Sequence, residues 1–553
     1  MDSMEQKLAP GMVFVRPDTP EPPVSDLTYT TRLLKIIVPD RHPPPRYSNL
    51  YPVALCCAIA CIAGFLFGYD SGILTFVGGV LTLTSFQDHF NFTKAQKTHV
   101  SSLCVSLQQL GAFVACPLSI PLSRKYGRKS SIFVGSVVFC IGAMMQTVPS
   151  HSLACFYVGR VISGLGLGAM TVVVPQYNAE MSPKEIRGRL GSFFQMAYTL
   201  GIFTSYWVDY GVKVNMESTE SQWQTPVGLQ ILFSGLLAIG MLTVKESPRW
   251  LITKDRMEEA KANLQWVRAS DGPEVANELA EISMAVRAEH HATEGLHWTE
   301  FLHGSVLKRL SAAFALFLAQ QATGATAFAY YSPQYFSLLT GDDETRSLLL
   351  SGIFGAVKVI ACFAFVCLAA DRFTRKFNLA SGAFAMAATQ IVTAAVLKNK
   401  PIDSGAAKDV PPAAKATVAM IYLFVMIYNF SWGPLPWPYC SELFSNRYRE
   451  VGVAVGVSSQ WLFNFVFTIS TPYMIDSMGW GTFLLWGLFD IIIGFGTILL
   501  ATETRGLSLE RAGQPEAFRN DNEAKLGNVY RRPSSSSLGS DKKNGSQIRE
   551  SGI

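Results

Sequence analysis

Apolar residues in this chain form long uninterrupted blocks, unlike the alternation of half-buried strands or the narrow stripes of surface helices. Each block is about 20 residues long, the length that an α-helix needs to cross roughly 30 Å of hydrocarbon. Twelve such blocks lie between residues 52 and 501, six on either side of a polar stretch at 246–307. The pattern predicts an all-α membrane protein with twelve transmembrane helices in two six-helix halves.

Composition divides the chain into five predicted regions. The polar stretch between the halves has helical spacing of apolar residues, which predicts short cytosolic helices. The Ser-, Asn- and Lys-rich tail predicts disorder. The regions are a cytosolic N-terminal segment (1–50), the first half (51–245), the helical linker (246–307), the second half (308–501) and a cytosolic tail (502–553).

Basic residues cluster in the short loops on one side of the predicted bundle, which indicates that both termini are cytosolic. One loop, 398–416, carries four lysines on the predicted outer side and does not follow this pattern. We expect the protein to lie in the plasma membrane. The net charge of +5 does not indicate binding to nucleic acid. The ten cysteines match no zinc or disulfide spacing, so neither a metal site nor a cofactor is predicted.

A short pattern appears once near the end of a long apolar block in each half. It consists of a Tyr, a Glu three residues later and an Arg seven residues after the Glu. The members are Tyr177, Glu180 and Arg187 in the first half, and Tyr439, Glu442 and Arg449 in the second. The repeat indicates two equivalent halves, and its charges predict a gate at the cytosolic ends of the helices.

With its other motifs, the chain resembles the sugar porter family of the major facilitator superfamily, and within it fungal and plant proton-coupled monosaccharide transporters. The motifs occur in family order along nearly the whole membrane region. They are Gly68-Tyr69-Asp70, Gly127-Arg128-Lys129, Gly159-Arg160, Pro175 to Gly188, Glu246 to Leu251, Gln320 to Gly324, Tyr330 to Pro333, Gly433 to Trp437 and Glu503 to Gly506. The resemblance implies a monomeric secondary transporter, not an enzyme, that works by alternating access.

The resemblance also implies roles for individual residues. Asp70 and Arg160 would couple proton binding to transport. Substrate contacts would come from Gln195, Gln320, Gln321, Thr326, Trp437, Trp461 and Lys358. The cytosolic gate would comprise Arg128, Glu180, Arg187, Glu246, Arg249, Arg375, Glu442 and Arg449. Amides suit a polyol because each offers a donor and an acceptor together.

Several positions depart from the family pattern. Lys358 stands near the middle of the eighth span, where hexose carriers have Asn, and Thr326 replaces a seventh-span Asn. Arg124 replaces the usual Asp after the second span, and Glu450 stands at the step that is Gly188 in the first half. Lys245 and Thr502 replace two motif prolines.

These features predict proton symport of a monosaccharide or polyol into the cell. A lysine at the bilayer midplane leaves open a carrier of an acidic ring compound, such as quinate or a sugar acid, with Lys358 as charge partner. A non-transporting sugar receptor is a third possibility, although the predicted tail of about 50 residues is short for one. A passive uniporter is a fourth, and the pH dependence of uptake would distinguish it.

Overall fold

The computed structural model describes residues 51–73, 83–93, 96–183, 187–295, 297–340, 344–366, 374–399, 412–444 and 447–503. Every structural statement below concerns these residues. They contain helices and connecting turns and no strand. The predicted N-terminal segment and nearly all of the predicted tail lie outside them.

The first half is built from six long helices and one short one. Their apolar blocks correspond to the predicted spans, and short turns join α3 to α4, α4 to α5 and α6 to α7. The helices are α1 (Tyr51–Ile73), the short α2 (Thr84–Phe90), α3 (Lys97–Tyr126), α4 (Arg128–Thr147), α5 (Leu153–Met181), α6 (Arg187–Asn215) and α7 (Glu220–Thr243).

Three short helices and a 3-10 turn form the linker, as the sequence predicts, and eight helices follow. The linker comprises α8 (Pro248–Thr253), α9 (Met257–Arg268), α10 (Pro273–Thr293) and the 3-10 turn Trp298–Leu302. The second half comprises α11 (Gly304–Ala322), α12 (Ala325–Thr340), α13 (Glu344–Ala364), α14 (Arg375–Asn399), α15 (Pro412–Phe430), α16 (Pro436–Glu442), α17 (Arg449–Met478) and α18 (Trp480–Leu500).

Ten of the described helices are individually long and apolar enough to span a membrane, and the bent pair α11–α12 supplies an eleventh. Helix α6 has sufficient length, at 29 residues, but its polar side chains keep it below the hydropathy of the others. It packs along α1 and α13 inside the bundle. With α6 the spans number twelve, which confirms the predicted fold class.

Two predicted spans are broken. The sequence predicts continuous helices over 308–338 and 417–440, whereas the chain bends by 40° between α11 and α12 and leaves the helix between α15 and α16. At the first break Gly324 has a φ of +79° and lies against the ring of Trp486, where a Cβ would clash. Breaks at this depth need internal hydrogen bonds, because lipid offers none.

Hydrogen bonds connect the two breaks. The Gln320 amide, at the end of α11, donates to the carbonyl oxygens of Trp432 at 2.8 Å and Gly433 at 3.3 Å, which lie in the second break. The Trp432 indole in turn donates to the Leu379 carbonyl at 2.9 Å. These bonds tie α11, α14 and the α15–α16 break together in the second half.

Glycines bring α3 and α5 into close contact in the first half. A Cβ on Gly164 would lie 2.2 Å from the backbone oxygen of Gln108, and one on Gly168 would lie 2.4 Å from that of Ala112. Small residues at such contacts let backbones approach closely, and packing is what holds membrane helices together. The same close approach positions the polar side chains of α3 and α5 described below.

We therefore expect Gly164→Ala to lower the melting temperature of the purified protein in detergent. The added methyl group meets rigid backbone, and overpacking of this kind typically costs about 1–3 kcal/mol. Gly235→Ala is the matched control, because nothing lies within 4 Å of a Cβ at that position in α7. Equal melting temperatures for the two variants would show that the α3–α5 contact is not tight.

Candidate functional site

A buried ion pair lies in the first half. The Arg160 guanidinium on α5 donates from Nη1 to Oδ1 of Asp70 on α1 at 3.3 Å, and both side chains are at most 2% exposed. Arg160 also donates to Oε1 of Gln146 at 2.8 Å and to Oε1 of Gln108. One guanidinium thus joins four helices, α1, α3, α4 and α5, through acceptors that only its charge and fork geometry satisfy together.

The second half also reaches this pair. Tyr330 of α12 is fully buried and lies close enough to Asp70 and Arg160 to interact electrostatically with both. Helix α12 directly follows the break at Gly324. The ion pair therefore lies within electrostatic reach of the helix that follows this break.

A second buried cation lies on α13. Lys358 is 5% exposed, and its Nζ lies 5.6 Å from the centre of the Tyr198 ring on α6. Tyr198 in turn lies near Tyr330 of α12 and Tyr428 of α15. In the described part of the chain, Lys358 forms no ion pair with a carboxylate. A cation–π contact with Tyr198 therefore joins this charge to a cluster of three tyrosines, Tyr198, Tyr330 and Tyr428, where α6 and α13 of the two halves pack together.

Of the predicted substrate residues, the seventh-span group lies close to this cluster. Gln320 and Gln321 are buried at the end of α11, and the Oε1 of Gln320 has no partner within the described residues. The hydroxyl of Thr326 donates to Oε1 of Gln321 at 2.6 Å. Gln320 also lies near Tyr428 of α15. The Oε1 of Gln320 could therefore accept a hydrogen bond from a ligand hydroxyl.

The remaining predicted residues occupy different environments. Trp461 is fully buried, and its indole donates to the Thr171 hydroxyl at 3.3 Å, which bridges the two halves. Trp437 is half-buried and packs edge-on against Phe317 at 5.4 Å. Gln195 is half-buried on α6, three residues before Tyr198. Trp461 therefore has a packing and bridging contact, which the sequence alone does not reveal.

Sequence reasoning did not single out the three tyrosines as site residues. Tyr330 belongs to a motif that carries the family resemblance, and this motif could have identified it as a site residue. Tyr198 and Tyr428 belong to no such motif, and only the packing of α6 and α15 against the centre brings them together.

Three predicted gate residues, Arg128, Glu180 and Glu246, form one cluster at the end of the bundle that carries residues 246–303, hereafter the linker face. Arg128 donates to Oε1 of Glu180 at 3.2 Å, and Glu180 accepts from the Ser247 hydroxyl. Glu246 accepts from the backbone N–H groups of Arg128 and Lys129, both at 3.1 Å, at the start of α4. Burial raises the pKa of Glu246, and these backbone donors oppose that rise.

The second half repeats this arrangement. Arg375 donates to Oε1 of Glu442 at 3.4 Å, and the N–H groups of Arg375 and Lys376, at the start of α14, donate to Glu503 at 3.1 Å. The repeated tyrosines also match. Tyr177 donates to the Lys245 carbonyl at 2.8 Å, and Tyr439 to the Thr502 carbonyl at 2.9 Å. Each cluster lies within one half.

Three other gate residues have separate surroundings. Arg249 of α8 donates to Glu289 of α10 at 2.5 Å within the linker. Arg449 donates to the Phe444 carbonyl at 3.2 Å. The side chain of Arg187 lies outside the described residues, so its place in the gate stays a prediction.

The linker is held to the second half by a charge cluster that sequence reasoning did not identify. Arg447 donates to Oε1 of Glu300 at 2.7 Å, and the Tyr448 hydroxyl donates to Oε2 at 3.0 Å. These hydrogen bonds lower the pKa of Glu300 to about 2, with the bond from Arg447 as the largest cause. Arg447 also donates to the Ala292 carbonyl of α10.

The two halves touch at both ends of the α3–α17 pair. At the linker face, the Arg124 guanidinium at the end of α3 binds the carboxylate of Glu450 at the start of α17 through two hydrogen bonds. At the opposite end, hereafter the outer face, the Thr98 hydroxyl donates to Asp476 at 2.5 Å and Ser102 donates to the Ile469 carbonyl at 2.7 Å. The α3–α17 pair therefore joins the two halves near both of its ends.

Comparison with known proteins agrees with this geometry. The family described as "Sugar (and other) transporter" matches residues 56–514. The quinate permease of Emericella nidulans is 32% identical over 483 residues, covering 86% of this chain and 90% of the relative. A probable quinate permease of Aspergillus flavus is 33% identical over 486 residues, with the same coverage.

The solved structures similar in fold include the xylose transporter XylE from E. coli in an inward-open conformation. It has a TM-score of 0.69 at 23% identity, covering 84% of this chain and 99% of that one. The XylE proton:xylose symporter bound to 6-bromo-6-deoxy-D-glucose also has a TM-score of 0.69 at 23% identity, covering 85% and 99%. The chain belongs to the sugar transporter family, whose members are membrane transporters and not enzymes, and it has the fold of the XylE transporter.

The contact between Arg124 and Glu450 predicts a charge-swap result. Arg124→Glu places like charges between the halves at the linker face, and we expect the initial rate of uptake to fall about fivefold, the equivalent of roughly 1 kcal/mol for a partly exposed pair. Arg124→Glu combined with Glu450→Arg restores the attraction and should recover most of the rate.

Arg256→Glu is the matched control for this swap. Arg256 also forms an exposed pair, with Glu259, but at the start of α9 within the linker, so its reversal should leave uptake unchanged. Failure of the double variant to recover, with normal amounts of protein in the membrane, would show that the contact has no role in the transport cycle.

Proposed function

We propose that this chain imports a monosaccharide or a closely related polyol together with a proton, by alternating access of its two halves. The observation that carries the proposal is the buried pair of Asp70 and Arg160, which lies beside Tyr330 of the bending helix α12. An ionisable pair inside a membrane is costly and is by default a candidate for function.

The pair offers a physical route from proton to conformation. When Asp70 is ionised, the guanidinium of Arg160 is held between Asp70, Gln146 and Gln108. Protonation of Asp70 removes the charge that attracts Arg160, so the guanidinium is left on its two amide acceptors. That change alters the field at Tyr330, across the contact between the halves. A proton bound from outside would in this way favour rearrangement of α12 around the substrate.

The polar groups near the centre suit a small ring with several hydroxyl groups. Gln320 has an acceptor without a partner, while Gln321 and Thr326 already bind each other and hold that surface in place. Gln195 and Trp437 are half-buried and would add an amide and an aromatic face. The XylE structures support this proposal, because that symporter has the same fold and is described as transporting xylose with protons.

Asp70→Asn tests the coupling. Asn cannot be protonated or hold the guanidinium by charge, so we expect loss of accumulation against a gradient, while exchange of labelled for unlabelled substrate continues. Uptake and exchange are measured in a transporter-null host at two pH values. Asp209→Asn is the control, since Asp209 is also a buried aspartate of the first half but has no arginine partner among the described residues. Full accumulation by Asp70→Asn would exclude the proposed coupling.

A second candidate is supported by Lys358. This cation is buried beside Tyr198 without a carboxylate partner in the described part of the chain, so an anionic substrate would supply the missing charge. Relatives named quinate permeases support this candidate. In this version of the proposal the ring carries a carboxylate, and Arg160 and Asp70 keep the same role.

Lys358→Gln distinguishes the two candidates. If the substrate is anionic, removal of the buried charge should lower its uptake at least tenfold, about 1.4 kcal/mol, and leave any uptake of neutral sugars intact. Lys398→Gln is the control, because Lys398 also lies over an aromatic ring, that of Trp480, but is exposed. Competition of uptake by quinate, galacturonate, glucose and xylose is measured for each variant. An equal loss for neutral and anionic compounds would assign Lys358 a structural role.

A further inference from the structure

Two histidines and a glutamate converge at the outer face of the first half. His89 lies in α2, His151 in the turn between α4 and α5, and Glu220 at the start of α7. Their ligand atoms all lie within 4.8 Å of one another. The three residues are far apart in sequence, so only the fold brings them together.

His89 is the fixed member of the group. Its side chain is 1% exposed, and its ring stacks on that of His151 with centroids 4.0 Å apart. Trp223 and Phe90 pack around it at 5.1 Å and 4.7 Å. Its Nδ1 lies 2.9 Å from Oε1 of Glu220. The His89 imidazole is therefore held in place by packing, and one side of it faces the exposed carboxylate of Glu220.

His151 already has the tautomer that binds metals. Its Nδ1 lies 3.0 Å from the backbone carbonyl oxygen of His89, and since a carbonyl only accepts, Nδ1 carries the proton. The lone pair is therefore on Nε2. Ligating histidines usually donate their other ring N–H to a carbonyl or carboxylate in this way. The backbone of His151 has a φ of +50°, which holds the residue in a tight turn over His89.

We propose that His89, His151 and Glu220 bind a divalent transition-metal ion, most readily Zn²⁺, at the outer face. Imidazole and carboxylate are ligands that Zn²⁺ accepts in tetrahedral geometry, with a solvent molecule as the fourth ligand. Mg²⁺ and Ca²⁺ prefer oxygen ligands and are poor occupants of such a group.

Binding needs only local adjustment. Bonds of about 2.0–2.2 Å bring the ligand atoms closer together than 4.8 Å. Glu220 and His151 are exposed and can move, while His89 stays in place. If Nδ1 of His89 is the ligand, its proton moves to Nε2, and the long 3.3 Å hydrogen bond from the His151 backbone N–H is lost.

The position of the group predicts its effect. All three residues belong to the first half, so the ion would tie α2, the α4–α5 turn and α7 together without joining the two halves. We therefore expect the ion to stabilise the first half and to be reached from the outer face. It would not act on the proton or substrate groups.

The test uses the purified full-length protein in detergent. Zn²⁺ should raise the melting temperature by about 2 °C or more once it exceeds its dissociation constant, and Mg²⁺ should not. His151→Asn and Glu220→Gln should each abolish the rise. Asn tolerates the positive φ at position 151, and both residues are exposed, so the variants should fold.

His291→Asn is the control, because His291 and Glu294 form an exposed pair in the linker that could bind Zn²⁺ independently. It should keep the full rise in melting temperature. Loss of the rise in this control, or a rise that survives in His151→Asn and Glu220→Gln, would overturn the proposed site. A response to lower pH with none to Zn²⁺ would also overturn it, since the group would then respond to protons only.

Discussion

The ion pair between Asp70 and Arg160 constrains the rest of the first half. Both charges are buried in a region that lipid surrounds, and removal of one partner from such a pair typically costs about 3–5 kcal/mol. Gln108 and Gln146 complete the surroundings of the guanidinium, which requires α3, α4 and α5 to approach closely. The glycine contacts between α3 and α5 permit that approach. Packing and charge thus depend on each other in the first half.

The second half also has polar groups buried near its centre, and the groups at its two breaks are neutral. Its spans break twice near the centre, and the Gln320 amide binds two of the freed carbonyl groups. At the linker face both halves use the same devices: an Arg–Glu pair, a tyrosine hydroxyl on a backbone carbonyl, and a glutamate at a helix N-terminus, where partial positive charge stabilises it. The halves are therefore equivalent at the linker face and different at the centre, where one carries the ion pair and the other the broken helices.

The sequence predicts the fold class, the two halves and the linker helices, because apolar block length and loop charge are local properties. It does not predict the breaks in the seventh and tenth spans, since those depend on hydrogen bonds between segments more than 100 residues apart. It assigns Glu180 and Glu442 to a gate, and in the structure both lie at the linker face. It does not identify Arg128 and Arg375 as their partners, because that pairing follows from how α4 and α14 begin beside other helices. The tyrosine cluster around Lys358 is likewise a product of tertiary packing.

Two departures from the family pattern have one physical explanation when they are considered together. Arg124 stands where most sugar porters are expected to have Asp, Glu450 stands at the step of Gly188, and in the folded chain the two bind each other across the halves. Either change alone would leave a partly exposed charge without its partner. Thr502 also makes a contact that the expected residue would lack. Its backbone N–H donates to the Tyr439 hydroxyl at 3.0 Å, a bond that a proline at this position cannot make. The bond between Arg124 and Glu450 therefore joins the halves at the linker face, and the bond from Thr502 to Tyr439 holds the end of the second half against α16.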